Sequence, residues 1–397
     1  MTSKQVSQET QVSANSKESQ EAQASENSQA FRFYDNREKY LLFVTTCSEK
    51  QAIATRIGRE LNYITPTPPA LRLFDAGMGD ASVLIEVLFN LHYRFPTVPF
   101  LIVAKEISLE DVRLGLVKMP SYFVEHPQTV LVVTNMKYSE APILQPDSGQ
   151  KLLKRWEVAL QGNTTHEFMR QIHDLHSILE EGWQTAPSSK TGNPLYVHPS
   201  VLIIYRADQQ FSLSSVIPPQ NAVPADYDFI ICAQPYRSRS SADAKVKYVL
   251  GPMASALGPG GRMVVVQSTG YDPGMEIIRQ VWPDEEPFPT PRHDLIEKLK
   301  DILDSEALGL TYSGNSDDDA LFKYHLHALP NEIGNNIGTS ILLAAWNAAI
   351  YVAQIDDIKL EPVLRTGHYL EATRNVLRHH GGLWFLDESF VVTRRRE

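Results

Sequence analysis

The sequence predicts an α/β protein built on a mostly parallel sheet with helices on both faces. Two observations lead there: from residue 70 onward short apolar runs alternate with helical patterns, and each run ends where a polar loop begins. A third is the first run itself, which enters a glycine-bearing turn that opens a helix. The 397 residues, 43% hydrophobic, suffice for a large core.

The N-terminal stretch 1–30 is rich in Ser, Gln, Glu and Ala and holds no Leu, Ile or aromatic residue, so it is expected to be a disordered tail. Order is expected from Phe31-Arg32-Phe33-Tyr34, and residues 31–64 read as a helical cap. Its apolar residues Tyr40, Phe43, Ile53, Ile57 and Leu61 suggest two helices broken near Thr45 to Ser48, with Ser48 as N-cap of the second. Thr65-Pro66-Thr67-Pro68-Pro69 forms a stiff connector, because proline fixes φ and removes a donor.

Strands are expected at Leu71–Asp75, Phe100–Lys105, Thr129–Thr134, Tyr227–Ala233 and 262–268, then at 321–329 and 383–393. Helices are expected at 82–93, 109–117, within 151–183, and at 241–257, 337–353 and 367–379.

Charge and cysteine usage narrow the function classes. With 37 Lys+Arg against 47 Asp+Glu the formal charge is −10, which disfavours affinity gained by broad neutralisation of phosphates. Cys47 and Cys232 stand far apart and offer neither a CxxC pair nor a disulfide framework. No stretch reaches the roughly 18 consecutive apolar residues of a membrane span. The expectation is a soluble, cytoplasmic protein without nucleic-acid or membrane partners.

The most informative segment is Leu71-Arg-Leu-Phe-Asp75-Ala-Gly77-Met-Gly79-Asp-Ala-Ser82. Glycines at 77 and 79 allow positive φ and close approach of a ligand to the backbone, and the helix that follows offers unpaired N–H groups. A dinucleotide fingerprint needs a third glycine where Ser82 stands and an acid about 20 residues on, whereas the next strand-end acid is Glu106.

Asp75-Ala-Gly77-Met-Gly79 resembles the first motif of the class I S-adenosylmethionine-dependent methyltransferases, an apolar strand ending in Asp-x-Gly-x-Gly. The resemblance continues in order through Glu106, Asn135-Met136, Asp228 to Ala233, and Leu257-Gly-Pro-Gly-Gly-Arg-Met-Val-Val-Val266. It implies a Rossmann-like, mostly parallel seven-stranded sheet, S-adenosylmethionine as cofactor, and no metal. It also implies roles. The Gly77–Gly79 turn would hold the methionine portion, Asp75 would order the loop or reach the amino group, and Glu106 would accept both ribose hydroxyls. Asn135 would read the adenine amino group and Met136 would pack on the adenine face.

Methyl transfer is an in-line displacement, so positioning and water exclusion suffice without a triad. The acceptor is expected beyond the ends of the fourth and fifth strands, near Ala233-Gln234-Pro235-Tyr236. This segment resembles the Asn-Pro-Pro-Tyr signature of amino-group methyltransferases but has Ala233 at its first position; Gln234 and Tyr236 are the catalytic candidates. His173/His176 read as a solvated helix face, His325/His327 as packed or surface residues, and Asp317 to Asp319 as a solvated turn.

Two insertions depart from the simplest member of the family. Residues 141–225 read as an inserted cap, and 331–381 add C-terminal helices that supply cover or a dimer surface, within a catalytic domain spanning 65–397. Such cover suits a small acceptor and methylation at nitrogen or oxygen. The alternatives are a partner-binding protein that keeps the fold without catalysis, and a nicotinamide-dependent oxidoreductase, against which Ser82 and Glu106 argue.

Overall fold

The computed structural model describes residues 37–146, 152–187, 194–220, 223–303, 306–314, 316–334 and 336–396. The expected tail at 1–30 and the onset of order at Phe31 to Tyr34 lie outside them.

Two helices lead in, α1 (Arg37–Thr46) and α2 (Glu49–Gly58). Ser48 lies between them as expected, but its hydroxyl does not cap α2; it exchanges hydrogen bonds with the backbone of His325. The sheet then begins with β1 (Leu71–Asp75), α3 (Ser82–Arg94), β2 (Phe100–Lys105), α4 (Leu109–Glu125) and β3 (Thr129–Thr134). These strands are apolar almost throughout because helices cover both faces: Leu71, Leu73, Ile102, Ala104, Leu131 and Val133 pack toward α2, α3 and α4, and Phe74, Val103, Val130 and Val132 pack the other way.

The 141–225 insertion supplies β4 (Lys154–Leu160), α5 (Thr165–His173), α6 (His176–Gly182), the short pair β5 (Thr185–Pro187) and β6 (Pro194–Tyr196), and β7 (Ser200–Arg206). It does not cap the sheet. β7 pairs antiparallel with β3, and β4 pairs parallel with β7, so the insertion lengthens the sheet at its edge. The helical stretch expected within 151–183 is found as α5 and α6, preceded by a strand that was not expected, Lys154-Arg-Trp-Glu-Val-Ala-Leu160. The capping box Thr164/Glu167 opens α5 as its sequence implies.

The chain returns through β8 (Tyr227–Ala233), α7 (Ala242–Lys245), a π turn at Val246–Leu250, α8 (Gly251–Ser255) and β9 (Leu257–Ser268). It continues with α9 (Pro273–Val281), α10 (Arg292–Ile302), β10 (Leu310–Ser313), α11 (Asp317–Ala320) and β11 (Leu321–His325). Last come α12 (Thr339–Val352), α13 (Asp357–Thr366), α14 (His368–His380) and β12 (Trp384–Arg394). The ten strands run in the order β10-β12-β9-β8-β1-β2-β3-β7-β4, with β11 also on β12. β1, β2, β3, β8 and β9 are mutually parallel, whereas β12 lies antiparallel to β9. β11 and β10 share one edge of β12 in tandem, along Trp384 to Glu388 and Val391 to Arg394. The seven-strand expectation thus describes the centre of a larger sheet.

The C-terminal insertion packs α12 against α1, α9 and α14 around Phe43, Ile277, Trp346, Ala349 and Leu377. α12 is apolar on nearly every side because it is enclosed by these elements. No described helix is long and apolar enough to cross a membrane.

Candidate active site

Strand order reverses between β1 and β8, and a crevice opens beyond their carboxyl ends, the position at which doubly wound sheets bind ligands. The cavity there has a volume of about 270 Å³. Its floor is the β1 turn, Asp75 to Asp80, together with Lys105 and Glu106; one wall is Ala233 to Arg237. Tyr40, Glu49, Lys50 and Ile53 of α1 and α2, with Tyr351, Val352 and Gln354 at the end of α12, line it further. Cover therefore comes from the N-terminal helices and the C-terminal insertion, and no described residue of 141–225 lines the cavity.

The floor is tied by a buried carboxylate. Glu106 Oε2 accepts the Gly79 N–H at 2.7 Å, and Oε1 accepts those of Ile107 and Ser108 at 2.7 and 2.8 Å. Asp75 Oδ1 accepts the Gly77 N–H at 3.0 Å. Burial pushes the Asp75 carboxyl up to about 7, an effect the nearby Glu106 reinforces and the Gly77 N–H opposes. Asp111, in the first turn of α4, is likewise pushed up to about 7 by burial and by Glu106.

Of the two glycines expected at positive φ, only Gly79 adopts it, at +52°, and Ala81 shares the left-handed region at +61°. A Cβ on Gly79 would stand 3.1 Å from the Tyr40 hydroxyl, which itself accepts the Asp80 N–H. Around Gly77 the nearest atom to a Cβ is Pro235 Cα at 3.9 Å. Neither the backbone conformation at Gly77 nor its protein neighbours require a glycine there.

Asn135 and Met136 are not on the cavity wall. The Asn135 amide is spent on the insertion: Nδ2 donates to Gly182 O at 2.8 Å and His198 O at 3.1 Å, and Oδ1 accepts the Ser200 N–H at 2.9 Å. Met136 is buried among apolar residues on one face of the sheet. Both readings are corrected, because the insertion occupies the ground beyond β3. It buttresses the floor from behind, where the Trp183 indole donates to Glu106 O at 2.9 Å and the Tyr196 hydroxyl donates to Ile107 O.

Gln234 and Tyr236 both line the cavity. Gln234 sits at φ +51°, and its Nε2 faces Glu49 Oε1 at 3.2 Å, Ser268 Oγ at 3.2 Å and Asp387 Oδ2 at 3.4 Å. Three acceptors fix the amide's orientation and leave Oε1 uncommitted among the described residues. Asp387 is fully buried, and burial together with the nearby Glu49 raises its carboxyl well above the ordinary range. The Tyr236 hydroxyl donates to Gln267 Oε1 at 3.1 Å, and burial holds its ionisation well above the ordinary range. It lines the wall of the cavity. The backbone oxygen of Pro235 lies 2.8 Å from the Tyr138 hydroxyl.

Sequence reasoning missed Tyr40, Glu49, Lys105, Tyr138 and Tyr351. Only Lys105 left a signal, as the charge ending the apolar run Phe-Leu-Ile-Val-Ala-Lys. His325 and His327 are exposed and away from the cavity, and no group of metal-ligating side chains occurs among the described residues.

A nicotinamide-binding sheet of the 3-2-1-4-5-6 order is mostly parallel. Here the order β3-β2-β1-β8-β9 is followed by the antiparallel β12, and the ligand turn lies at the end of β1. The chain has a Rossmann-like α/β fold. No family model and no curated protein matches its sequence. Among solved structures, this chain is similar to a proposed sarcosine dimethylglycine methyltransferase from Galdieria sulphuraria, with 8% identity over 87% of this chain and 85% of the other and a TM-score of 0.36. Geranyl diphosphate C-methyltransferase from Streptomyces coelicolor gives 9% identity, coverage of 86% and 80%, and a TM-score of 0.31. An S-adenosylmethionine-dependent methyltransferase from Archaeoglobus fulgidus gives 9%, coverage of 87% and 94%, and 0.28.

Proposed function

We propose that the chain transfers a methyl group from S-adenosylmethionine to a nitrogen or oxygen atom of a small molecule. The observation that carries this reading is the cavity itself, floored by the Gly77–Gly79 turn and walled by Gln234 and Tyr236. The open space above Gly77 fits a cofactor lying against the turn. Asp75 is then placed for a cationic amino group and Glu106 or Asp111 for ribose hydroxyls. A carboxylate has about four acceptor positions, so Glu106, already accepting three N–H bonds, has room for one hydroxyl, and Asp111 is the natural partner for the other. When bound, S-adenosylmethionine supplies an electrophilic methyl on a sulfonium.

The chain's residues do the rest. Gln234 Oε1 and the Glu49 carboxylate offer hydrogen-bond acceptors to an N–H or O–H of the acceptor. Tyr40, Ile53, Tyr351 and Val352 exclude water. Calorimetric titration of the full chain with S-adenosylmethionine, S-adenosylhomocysteine, NAD and NADP tests the reading. Micromolar binding of the first two alone is expected; binding of NAD, or of none, overturns it.

The raised Asp75 carboxyl gives a pH signature. Its folded value lies above the unfolded one, so its contribution to stability is present at low pH and lost as pH rises from about 4 to about 7. Affinity for a cationic ligand runs the other way, strengthening as Asp75 ionises. Titrations at pH 6 and pH 8 are expected to show tighter S-adenosylmethionine binding at pH 8, and Asp75→Asn to flatten the difference beyond what Asp111 contributes. A flat wild-type profile would remove Asp75 from that role.

A further inference from the structure

Five of the six residues in β2 are apolar; the sixth, Lys105, is 5% exposed and lines the cavity. Its Nζ lies 4.5 Å from the centre of the Tyr138 ring. No hydrogen bond or ion pair to that ammonium is found among the described residues, although carboxylates surround the cavity. Four of the five are engaged elsewhere, Glu106 and Asp75 with backbone N–H groups, Asp80 with Lys118 and Glu49 with Lys50, and the fifth, Asp111, makes no ion pair with Lys105. Tyr138 is itself pinned, its single hydroxyl proton shared between Ala76 O at 2.9 Å and Pro235 O at 2.8 Å, which sets the lysine and the ring at the β1–β8 crevice.

A buried ammonium carries three N–H donors, and an aromatic face answers its charge without accepting those bonds in line. Retaining such a group beside a cavity is costly unless a ligand completes it. We propose that Lys105 binds an oxyanionic group, a carboxylate or a phosphate, of the molecule that is methylated. Calling that molecule the acceptor rests on the methyl-transfer reading; the anion site itself does not. Burial lowers the Lys105 ammonium to about 8, so it is largely charged at neutral pH and partly reactive as an amine just above it.

That reactivity supplies a test needing no acceptor. The full chain is trace-labelled with acetic anhydride at pH 8 and the label at Lys105 is read by peptide mass spectrometry, in the presence of sodium acetate, sodium phosphate, or sodium chloride at matched ionic strength. Labelling in chloride and at least fivefold protection by one of the anions is the expected result. Protection by acetate assigns a carboxylate group, and protection by phosphate assigns a phosphorylated one. The same anion is expected to raise the melting temperature of the wild type and of Lys105→Arg but not of Lys105→Met. The proposal is overturned if Lys105 is not labelled in chloride, if neither anion protects it, or if S-adenosylhomocysteine alone does so. Failure of S-adenosylhomocysteine to bind would count against methyl transfer while leaving the anion response readable.

Discussion

Replacing Glu106 by alanine is expected to lower stability by about 3 kcal/mol and S-adenosylmethionine affinity by roughly tenfold to a hundredfold. Both effects come from one carboxylate. Its two oxygens hold the N–H groups of Gly79, Ile107 and Ser108, and each buried donor left without a partner costs about 1 kcal/mol or more. The affinity loss has two parts, a ribose hydroxyl without its acceptor and a glycine turn no longer held in place. Glu106→Gln keeps one carbonyl oxygen and the side-chain shape, so it should fall between. Urea unfolding and calorimetric titration, the latter where the variant is folded, read the two effects separately. A stability loss with unchanged affinity would make Glu106 a brace for the turn alone.

Gly77→Ala is expected to do the reverse, cutting cofactor affinity about fivefold to a hundredfold while leaving the fold intact or slightly stabilised. The backbone at Gly77 is not left-handed, and a Cβ there meets no protein atom closer than 3.9 Å. A methyl group therefore costs the folded chain little and restricts the unfolded one, an effect worth about 0.4–1 kcal/mol. The same methyl intrudes where a bound cofactor would lie, and overpacking a filled site costs about 1–3 kcal/mol. Gly79→Ala differs because its φ of +52° strains any side chain and the Tyr40 hydroxyl stands 3.1 Å away. It should lose about 1–2 kcal/mol of stability. Equal cofactor affinity in wild type and Gly77→Ala would show that no ligand occupies the floor of the turn.

How far each part could be read in advance follows from how local its cause is. β1, β2, β3 and β8 were legible to the residue, since a strand buried on both faces must be apolar throughout and end where its loop begins. β4 was not. Lys154 to Leu160 is a half-exposed edge strand, and its charged residues resemble a helix surface unless its pairing with β7 is known. The insertion was visible as surplus length between β3 and β8, but whether it lay over the site or beside it depended on β7 pairing with the open edge of β3. Asn135 illustrates the consequence. It stands where the family resemblance puts an adenine contact, yet its amide is satisfied by Gly182, His198 and Ser200, residues 47 to 65 positions further on.

The sequence by itself determined the central sheet, the glycine turn and the acid that follows β2, because apolar runs, a left-handed glycine and a strand-end carboxylate act within a few residues of one another. Only the tertiary structure decided which side chains meet at the end of that sheet. Tyr40, Glu49, Tyr351 and Gln354 arrive from helices at opposite ends of the chain, and no local pattern marks a residue whose role is to close a cavity built elsewhere. Lys105 stands between the two cases: its charge is plain in an apolar run, but that the ammonium finds an aromatic ring and no anion is known only once Tyr138 is folded over it.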